Sequence, residues 1–348
     1  PQERVPTGSH HSSPQAQILS RHAKRAYDTF CGLKNLVRED HLVKSIVNPD
    51  GSDANAGINS YDNCMWMDAL LALDKHDEAQ EVYESMKKNN LLREDNLLVG
   101  AMSIPEVYSS ENSRWIITLL ALGKEDDALG VYESLLDLDM VHENGLVKRL
   151  HVSDPRLSRD NSCIHSENNS LWIQALLALG KRDEALTTYD SMIGLKALVL
   201  DSHLVTNFTI PGSNRDLSFL YSEHNCMWID SLLALGKRDE AEKVYESMCR
   251  LGDLVSHDNL VNTCVDHEGN EKISKIDSID NSLWIKSLFS LGRKSQAYEV
   301  YEKLCNSTSL VRSDGLVASS MDPADKSIIG DIHSYNNALW IKTLSELS

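Results

Sequence analysis

The sequence predicts an all-α fold: a closed ring of six inner and six outer helices with short β-hairpins in the connections. Three observations carry this reading. The stretch Ser-x-x-Asn-x-x-Trp occurs six times, at Ser60/Asn63/Trp66, Ser109/Asn112/Trp115, Ser166/Asn169/Trp172, Ser222/Asn225/Trp228, Ser278/Asn281/Trp284 and Ser334/Asn337/Trp340, and these copies hold every tryptophan of the 348 residues. Successive tryptophans stand 49, 57, 56, 56 and 56 residues apart, a period that marks one repeat array. The array opens on a helix without its partner and closes on another, so the two ends complete each other.

Residues 1–13 (PQERVPTGSHHSS) are polar, hold two prolines and show no periodicity, the composition of an extended arm. Residues 14–348 then read as a single domain of repeats about 56 residues long. The first helix covers residues 14–36, with Ala23, Ala26, Tyr27 and Phe30 at helical spacing. Its Ala-x-x-x-Tyr signal recurs at Ala79/Tyr83, Ala128/Tyr132, Ala185/Tyr189, Ala241/Tyr245 and Ala297/Tyr301, and these are the outer helices, with one charged face each.

After each outer helix come two apolar dipeptides around a turn, from Leu36-Val37…Leu42-Val43 to Leu310-Val311…Leu316-Val317. The turn centres are Asp40-His41, Asp95-Asn96, Asn144-Gly145, Ser202-His203, Asp258-Asn259 and Asp314-Gly315, residues that tolerate positive φ and so predict two-residue β-hairpins. A variable loop follows, and then the Ser-x-x-Asn-x-x-Trp motif starts an inner helix. Here the serine is expected as N-cap, the asparagine at the third helical position and the tryptophan as a buried anchor. Each inner helix is apolar nearly all round and ends at Gly123, Gly180, Gly236 or Gly292, with Asp74 in the first copy. Asp77, Asp126, Asp183, Asp239 and Ser295 are expected to cap the next outer helix.

The chain holds 52 Asp and Glu against 34 Lys and Arg, a net charge of −18 that disfavours nucleic acid and anionic membranes as partners. No apolar run is long enough to span a membrane, and Pro1, Gln2, Glu3 and Arg4 lack the apolar core of a signal peptide. Seven cysteines do not read as a disulfide framework. Cys31, Cys249 and Cys305 read as small buried hydrophobes, and Cys163 and Cys264, in loops, as the ones more open to oxidation. Neither a cofactor nor a metal site is expected.

An open solenoid would leave Trp340, Ile341 and Leu344 facing water. Closing the array gives the (α/α)6 arrangement, and here the chain resembles a known group, the six-hairpin toroids of glycoside hydrolases, polysaccharide lyases and sugar epimerases. The six helix pairs, the Leu-Ala-Leu-Gly-Lys turns and the stretch from Ser334 to Trp340 carry the resemblance over residues 14–348. It is architectural, and no catalytic motif of that group is carried over onto positions here. It implies a substrate groove on the face where the inner helices begin.

Candidate site residues follow from asymmetry. A sixfold-repeated asparagine suits structure better than catalysis. The residue before it differs between copies (Asp62, Glu111, Asn168, His224, Asp280, Asn336), and Asp62 with Glu111 on adjacent inner helices would make a carboxylate pair. First-turn acids are equally what a helix dipole favours. Asp154 in the loop 148–165 and Asp266 in the loop 262–277 are the other acid candidates; these loops read equally as solvated polar segments. Asn207 and Asn306 sit in Asn-x-Thr triplets, candidate glycosylation sites in a protein expected to be secreted, with a cytoplasmic location the alternative. The functional expectation is a non-catalytic, self-assembling subunit, such as an extracellular filament protein whose N-terminal arm docks on a neighbouring copy. The alternative is a carbohydrate-active enzyme of glycoside hydrolase or lyase type, working at the loop-bearing mouth.

Overall fold

The computed structural model describes residues 13–98, 106–152, 163–209, 219–266, 271–273, 275–307, 309–322 and 328–348. The inner helices are α2 (Ser60–Ala72), α4 (Ser109–Ala121), α6 (Ser166–Ala178), α8 (Ser222–Ala234), α10 (Ser278–Ser290) and α12 (Ser334–Glu346). The outer ones are α1 (Pro14–Gly32), α3 (His76–Lys88), α5 (Glu125–Asp137), α7 (Arg182–Gly194), α9 (Arg238–Arg250) and α11 (Lys294–Ser307). Each inner helix packs against the next, and α12 returns to α2 while α1 packs on α12, so the ring is closed. Strand β1 (Ile46–Val47) pairs with β12 (Ile332–His333) across the same seam. Ser345 Oγ donates to the Ala72 carbonyl at 2.6 Å, a second bond over the joint. The predicted closure therefore holds. Most of the arm, residues 1–12, lies outside the described residues, and Ser13 caps α1 by accepting from the Ala16 N–H at 3.1 Å.

The motif works differently from the N-cap expectation. Each inner helix begins at the serine itself (Ser60, Ser109, Ser166, Ser222, Ser278 and Ser334), so its cap is the residue before: Asn59, Tyr108, His165, Tyr221, Asp277 or His333. The asparagine is a buried clamp. Asn225 Oδ1 accepts from the Val205 N–H at 2.8 Å, while its Nδ2 donates to the Val205 carbonyl at 3.1 Å and the Tyr221 carbonyl at 2.9 Å. Asn63, Asn112, Asn169, Asn281 and Asn337 make the same bonds, to Val43, Leu98, Val147, Val261 and Val317 and to the residue four back. The side-chain amide thus acts as one more peptide unit of the hairpin and fixes it to the helix. A residue capping only its own helix could not do this. The serine ties neighbouring copies: the Ser109 N–H donates to the Arg149 carbonyl at 3.1 Å, and the Ser334 N–H to that of Ser45 at 3.0 Å across the seam.

The hairpins are also smaller than predicted. Each is a single bridge, Val37 with Val43 through Val311 with Val317. Only the second residue of each turn pair is left-handed (His41, Asn96, Gly145, His203, Asn259 and Gly315), whereas a two-residue type I′ turn needs both. His41 N–H bonds the Arg38 carbonyl at 3.1 Å, so a three-residue loop with a left-handed third residue is built instead. Extended pairs not foreseen lie between successive loops: β2 (Glu106–Tyr108) with β3 (Leu150–Val152), β4 (Ile164–His165) with β5 (Phe208–Thr209), β6 (Phe219–Tyr221) with β7 (Cys264–Asp266) and β8 (Glu271–Ile273), and β9 (Ile276–Asp277) with β10 (Ser320–Met321) and β11 (Ile328–Ile329).

The six tryptophans are buried and belong to the scaffold, between inner and outer helices, and not to the site. Each stacks on the tyrosine of the preceding outer helix: Trp66 on Tyr27 with ring centres 5.9 Å apart, Trp115 on Tyr83 at 6.1 Å, Trp172 on Tyr132 at 5.7 Å, Trp228 on Tyr189 at 5.8 Å, Trp284 on Tyr245 at 5.6 Å and Trp340 on Tyr301 at 6.0 Å. They do more than fill space, because an indole N–H must find an acceptor when buried. Trp115 Nε1 donates to the Asn96 carbonyl and Trp284 Nε1 to that of Asn259, both at 3.0 Å, so the ring also holds the left-handed residue of the hairpin turn.

The stacked tyrosine's hydroxyl reaches the first turn of the next outer helix, Tyr83 to Asp127 at 2.5 Å, Tyr132 to Glu184 at 2.7 Å and Tyr189 to Glu240 at 2.5 Å, and the last, Tyr301, reaches His22 of α1. The outer helices begin one residue before Asp77, Asp126, Asp183 and Asp239, after Lys75, Lys124, Lys181 and Lys237, so those acids lie in the first turn and are not caps. Cys31 and Cys249, on the outer helices α1 and α9, are exposed, whereas Cys163, next to β4, and Cys264, in β7, are buried, the reverse of the expectation.

Candidate active site at the mouth of the ring

The inner helices begin on one face of the ring, and helical spacing turns their second, sixth and ninth residues to the axis. The second residues form the mouth: Tyr61, Ser110, Glu167, Glu223, Ile279 and Tyr335, all half-buried. Tyr61 and Tyr335, from α2 and α12, lie together with ring centres 5.5 Å apart. The sixth residues, Met65, Arg114, Leu171, Met227, Leu283 and Leu339, make a buried floor in which Arg114 is the one charge. Beneath it Asp68 accepts from Lys342 Nζ at 2.7 Å and Thr118 Oγ1 at 2.6 Å, and Asp230 pairs with Lys286 at 2.9 Å. The motif tryptophans Trp66, Trp115, Trp172, Trp228, Trp284 and Trp340 follow the floor residues by one position, which turns them off the axis and onto the outer helices.

The residue before the asparagine mostly links neighbouring helices. Asn168 Nδ2 donates to Ser109 Oγ at 2.7 Å, Asn336 Nδ2 to Ser278 Oγ at 2.8 Å, and Asp280 Oδ1 accepts from the Glu223 N–H at 3.0 Å. His224 Nδ1 faces Ser166 Oγ at 3.1 Å, and its Nε2 is 3.7 Å from Glu167 Oε2. Asp62 and Glu111 are the members of this set without such an inter-helix tie in the structure. Burial pushes Asp62 up to about 6, against a hydrogen bond with Ser45. Burial, and after it the negative charges of Asp62 and Glu167, pushes Glu111 up to about 7, and its Oε2 is buried with no hydrogen-bond partner.

The neighbouring carboxyl groups are shifted by the same leading cause, burial that disfavours the charged form. Burial raises Glu167 against the pull of Arg149 and Arg114, and burial with Glu167 and Asp277 takes Glu223 up to about 8. Asp277 is held at about 6 and Asp280 well above the usual range, both chiefly by burial. Burial depresses His224 to about 3, so its imidazole is neutral. The site thus joins Asp62 and Glu111, which the sequence indicated, to Glu167, Glu223, Arg114 and the tyrosine pair, which it did not. The available signal was the second motif position, where Tyr, Ser, Glu, Glu, Ile and Tyr vary beside a fixed serine. Asp266 is half-buried at the end of β7, opposite Phe219, and Asp154 lies outside the described residues. Among the described residues no cluster of three or more His, Cys, Asp or Glu is placed to hold a metal.

Solved structures share this frame nearly end to end. A D-mannose isomerase superposes with a TM-score of 0.81 at 10% identity, over 97% of this chain and 98% of that one. The chain folds as an (α/α)6 toroid. Cellobiose 2-epimerase from Bacillus thermoamylovorans matches at a TM-score of 0.75 with 13% identity, covering 95% and 99% of the two chains. An inactive variant of an α-1,6-mannanase from a Salegentibacter species, in complex with α-1,6-mannotriose, matches at 0.65 with 12% identity, covering 96% and 100%. The PPR repeat model matches residues 64–91 and 226–253, each one inner helix with its following outer helix. No curated protein sequence matches the chain.

These neighbours correct the expectation of a non-catalytic filament subunit: the toroid that this chain builds is one that solved sugar isomerases, epimerases and mannanases build. Residues 1–12 of the arm on which the assembly idea leaned lie outside the described residues. No helix among the described residues is long and apolar enough to cross a membrane.

Proposed function

We propose that this toroid is a carbohydrate-active enzyme that carries out general acid–base chemistry on a sugar bound at its mouth. The observation behind it is a run of buried carboxyl groups on successive inner helices, Glu111 pushed up to about 7 and Glu223 to about 8, each sharing Glu167 as a neighbouring charge. A group titrating near the working pH is the most effective proton shuttle. Glu111, with one oxygen unbonded, is the base; Glu223, still protonated at neutral pH, is the acid; Asp62 and Glu167 set the field around Glu111. Tyr61 and Tyr335 offer aromatic faces to the C–H side of a sugar ring. Asn306 is exposed near the end of α11, whereas Asn207 Oδ1 is engaged by the Phe219 N–H at 3.2 Å, so of the two Asn306 is the better placed to carry a glycan.

The test is incubation of the protein in D2O with D-mannose, D-fructose, D-glucose and cellobiose, read by NMR for C2–H exchange and for new sugars, beside an α-mannan assay for released reducing ends. Conversion or exchange that falls about 100-fold or more in Glu111→Gln, at an unchanged unfolding midpoint, supports the proposal. No conversion of any sugar in the set refutes it.

A further inference from the structure

The six residues that floor the mouth are equivalent by repeat, and five of them, Met65, Leu171, Met227, Leu283 and Leu339, are apolar and buried. Arg114 takes the sixth place with 7% of its surface exposed. A lone buried cation in an apolar layer is costly unless paired and hydrogen-bonded, and here the pairing is poor. Its nearest carboxylate, Asp68 Oδ2, is 3.8 Å from Nη1 and already accepts from Lys342 at 2.7 Å. The other Asp68 oxygen accepts from Thr118 at 2.6 Å. One carboxylate therefore serves two cations, and Arg114 Nε is buried without a hydrogen-bond partner. Packing alone would favour a methionine or leucine, as the five counterparts show.

Arg114 stands one helical turn below the mouth position of α4. Tyr61 and Tyr335 lie within reach of its charge, and so do Glu167 and Glu223. Tyr61 and Tyr335 are neutral phenols and the two glutamates stand at the rim, so the guanidinium is left with open donor capacity one turn below the rim. An open charged donor at nine-tenths burial calls for an oxygen atom from a ligand. An anionic ligand would have to pass the carboxylates above it; a neutral, hydroxyl-rich one would not.

We infer that Arg114 is the anchor of the mouth: it donates to an oxygen of a bound neutral sugar and fixes which end of that sugar lies beneath Glu111, Glu167 and Glu223. The assignment rests on the sugar-enzyme reading above and adds the group that orients the ligand. Its geometry makes Arg114 a binding residue. An oxygen that gains negative charge during proton transfer would be stabilised at the same place.

Calorimetric titration of the full chain with D-mannose and with D-fructose decides it, using the parent, Arg114→Met and Arg114→Lys. Methionine is what two equivalent floor positions carry, so Arg114→Met is expected to unfold at or above the parent temperature. Its sugar affinity should fall about 10- to 100-fold, the loss expected of one hydrogen bond to a charged donor, and Arg114→Lys should recover part of it. Should Arg114→Met fail to fold, the folded Arg114→Lys variant decides by itself, a several-fold loss of affinity supporting the anchor and parental affinity refuting it. Affinity kept within threefold in a folded Arg114→Met overturns the anchor while leaving the enzyme proposal intact. Sugar binding that depends on Arg114 without any turnover supports the anchor and removes the enzyme proposal. Absence of sugar binding in the parent overturns the anchor.

Discussion

Replacing Asn225 by aspartate separates two roles that a motif asparagine can play. Were Asn225 a helix cap, aspartate would serve equally well, and its charge in the first turn would add about 0.3–1 kcal/mol through the helix dipole. The clamp geometry predicts the opposite sign. Aspartate keeps the acceptor for the Val205 N–H but sets a second oxygen against the carbonyls of Val205 and Tyr221, which Nδ2 now reaches at 3.1 and 2.9 Å. The position is fully buried, so neither carbonyl can turn to water. Two lost bonds at about 1 kcal/mol each, with the added cost of a buried unpaired charge, put the loss at about 3–5 kcal/mol. Unfolding entropy of about 2.1 cal/mol/K per residue over this chain turns that into a fall of about 4–7 °C in the melting midpoint. Differential scanning calorimetry at pH 7 measures it. A midpoint equal to or above the parent's would refute the clamp.

Three further outcomes are expected. Trp228→Ala should lose about 3–5 kcal/mol, since the ring is buried and stacked on Tyr189, and urea midpoints measure it. Glu223→Gln should flatten the pH dependence of stability: the folded carboxyl holds its proton up to about 8 against 4.5 unperturbed, so the folded state binds more protons in that window and loses stability as pH rises through it. Relative to the parent the variant therefore gains at pH 8.5 over pH 4.5, and urea titrations that show no such relative gain would remove the burial account of the mouth. Gly236→Ala should cost about 1 kcal/mol, because φ there is +81° although no atom stands in the way of the added methyl; an unchanged midpoint would contradict it.

The ring was legible because its evidence is periodic. Six tryptophans, six Ala-x-x-x-Tyr signals and an unpaired helix at each end leave few ways to bury the apolar faces. The roles inside the motif were not legible. A serine and an asparagine three residues apart suit a cap in any isolated helix, and only the hairpin folded against the helix shows that Asn63 spends its amide on Val43. The β-pairing between loops was hidden for a like reason: β1 and β12 are short, and their partnership exists only once the ring closes. At the site, Asp62 and Glu111 were legible because they vary directly before a fixed asparagine. Arg114 was missed because it sits among residues that read as core, and its difference from Met65 and Leu171 has meaning only when the six helices are laid around one axis.

The seam where β1 meets β12 joins segments almost three hundred residues apart. Closing a loop of that length costs about 5 kcal/mol of chain entropy beyond a constant, against a modest local reward. Tyr61 and Tyr335 stand on opposite sides of that seam, with ring centres 5.5 Å apart. Whatever rests across both tyrosines bridges the chain's two distant ends, so its binding energy adds directly to the closed state. Occupancy of the tyrosine pair and closure of the ring would then be linked equilibria, and a molecule that spans the two rings would act as the buckle of the belt.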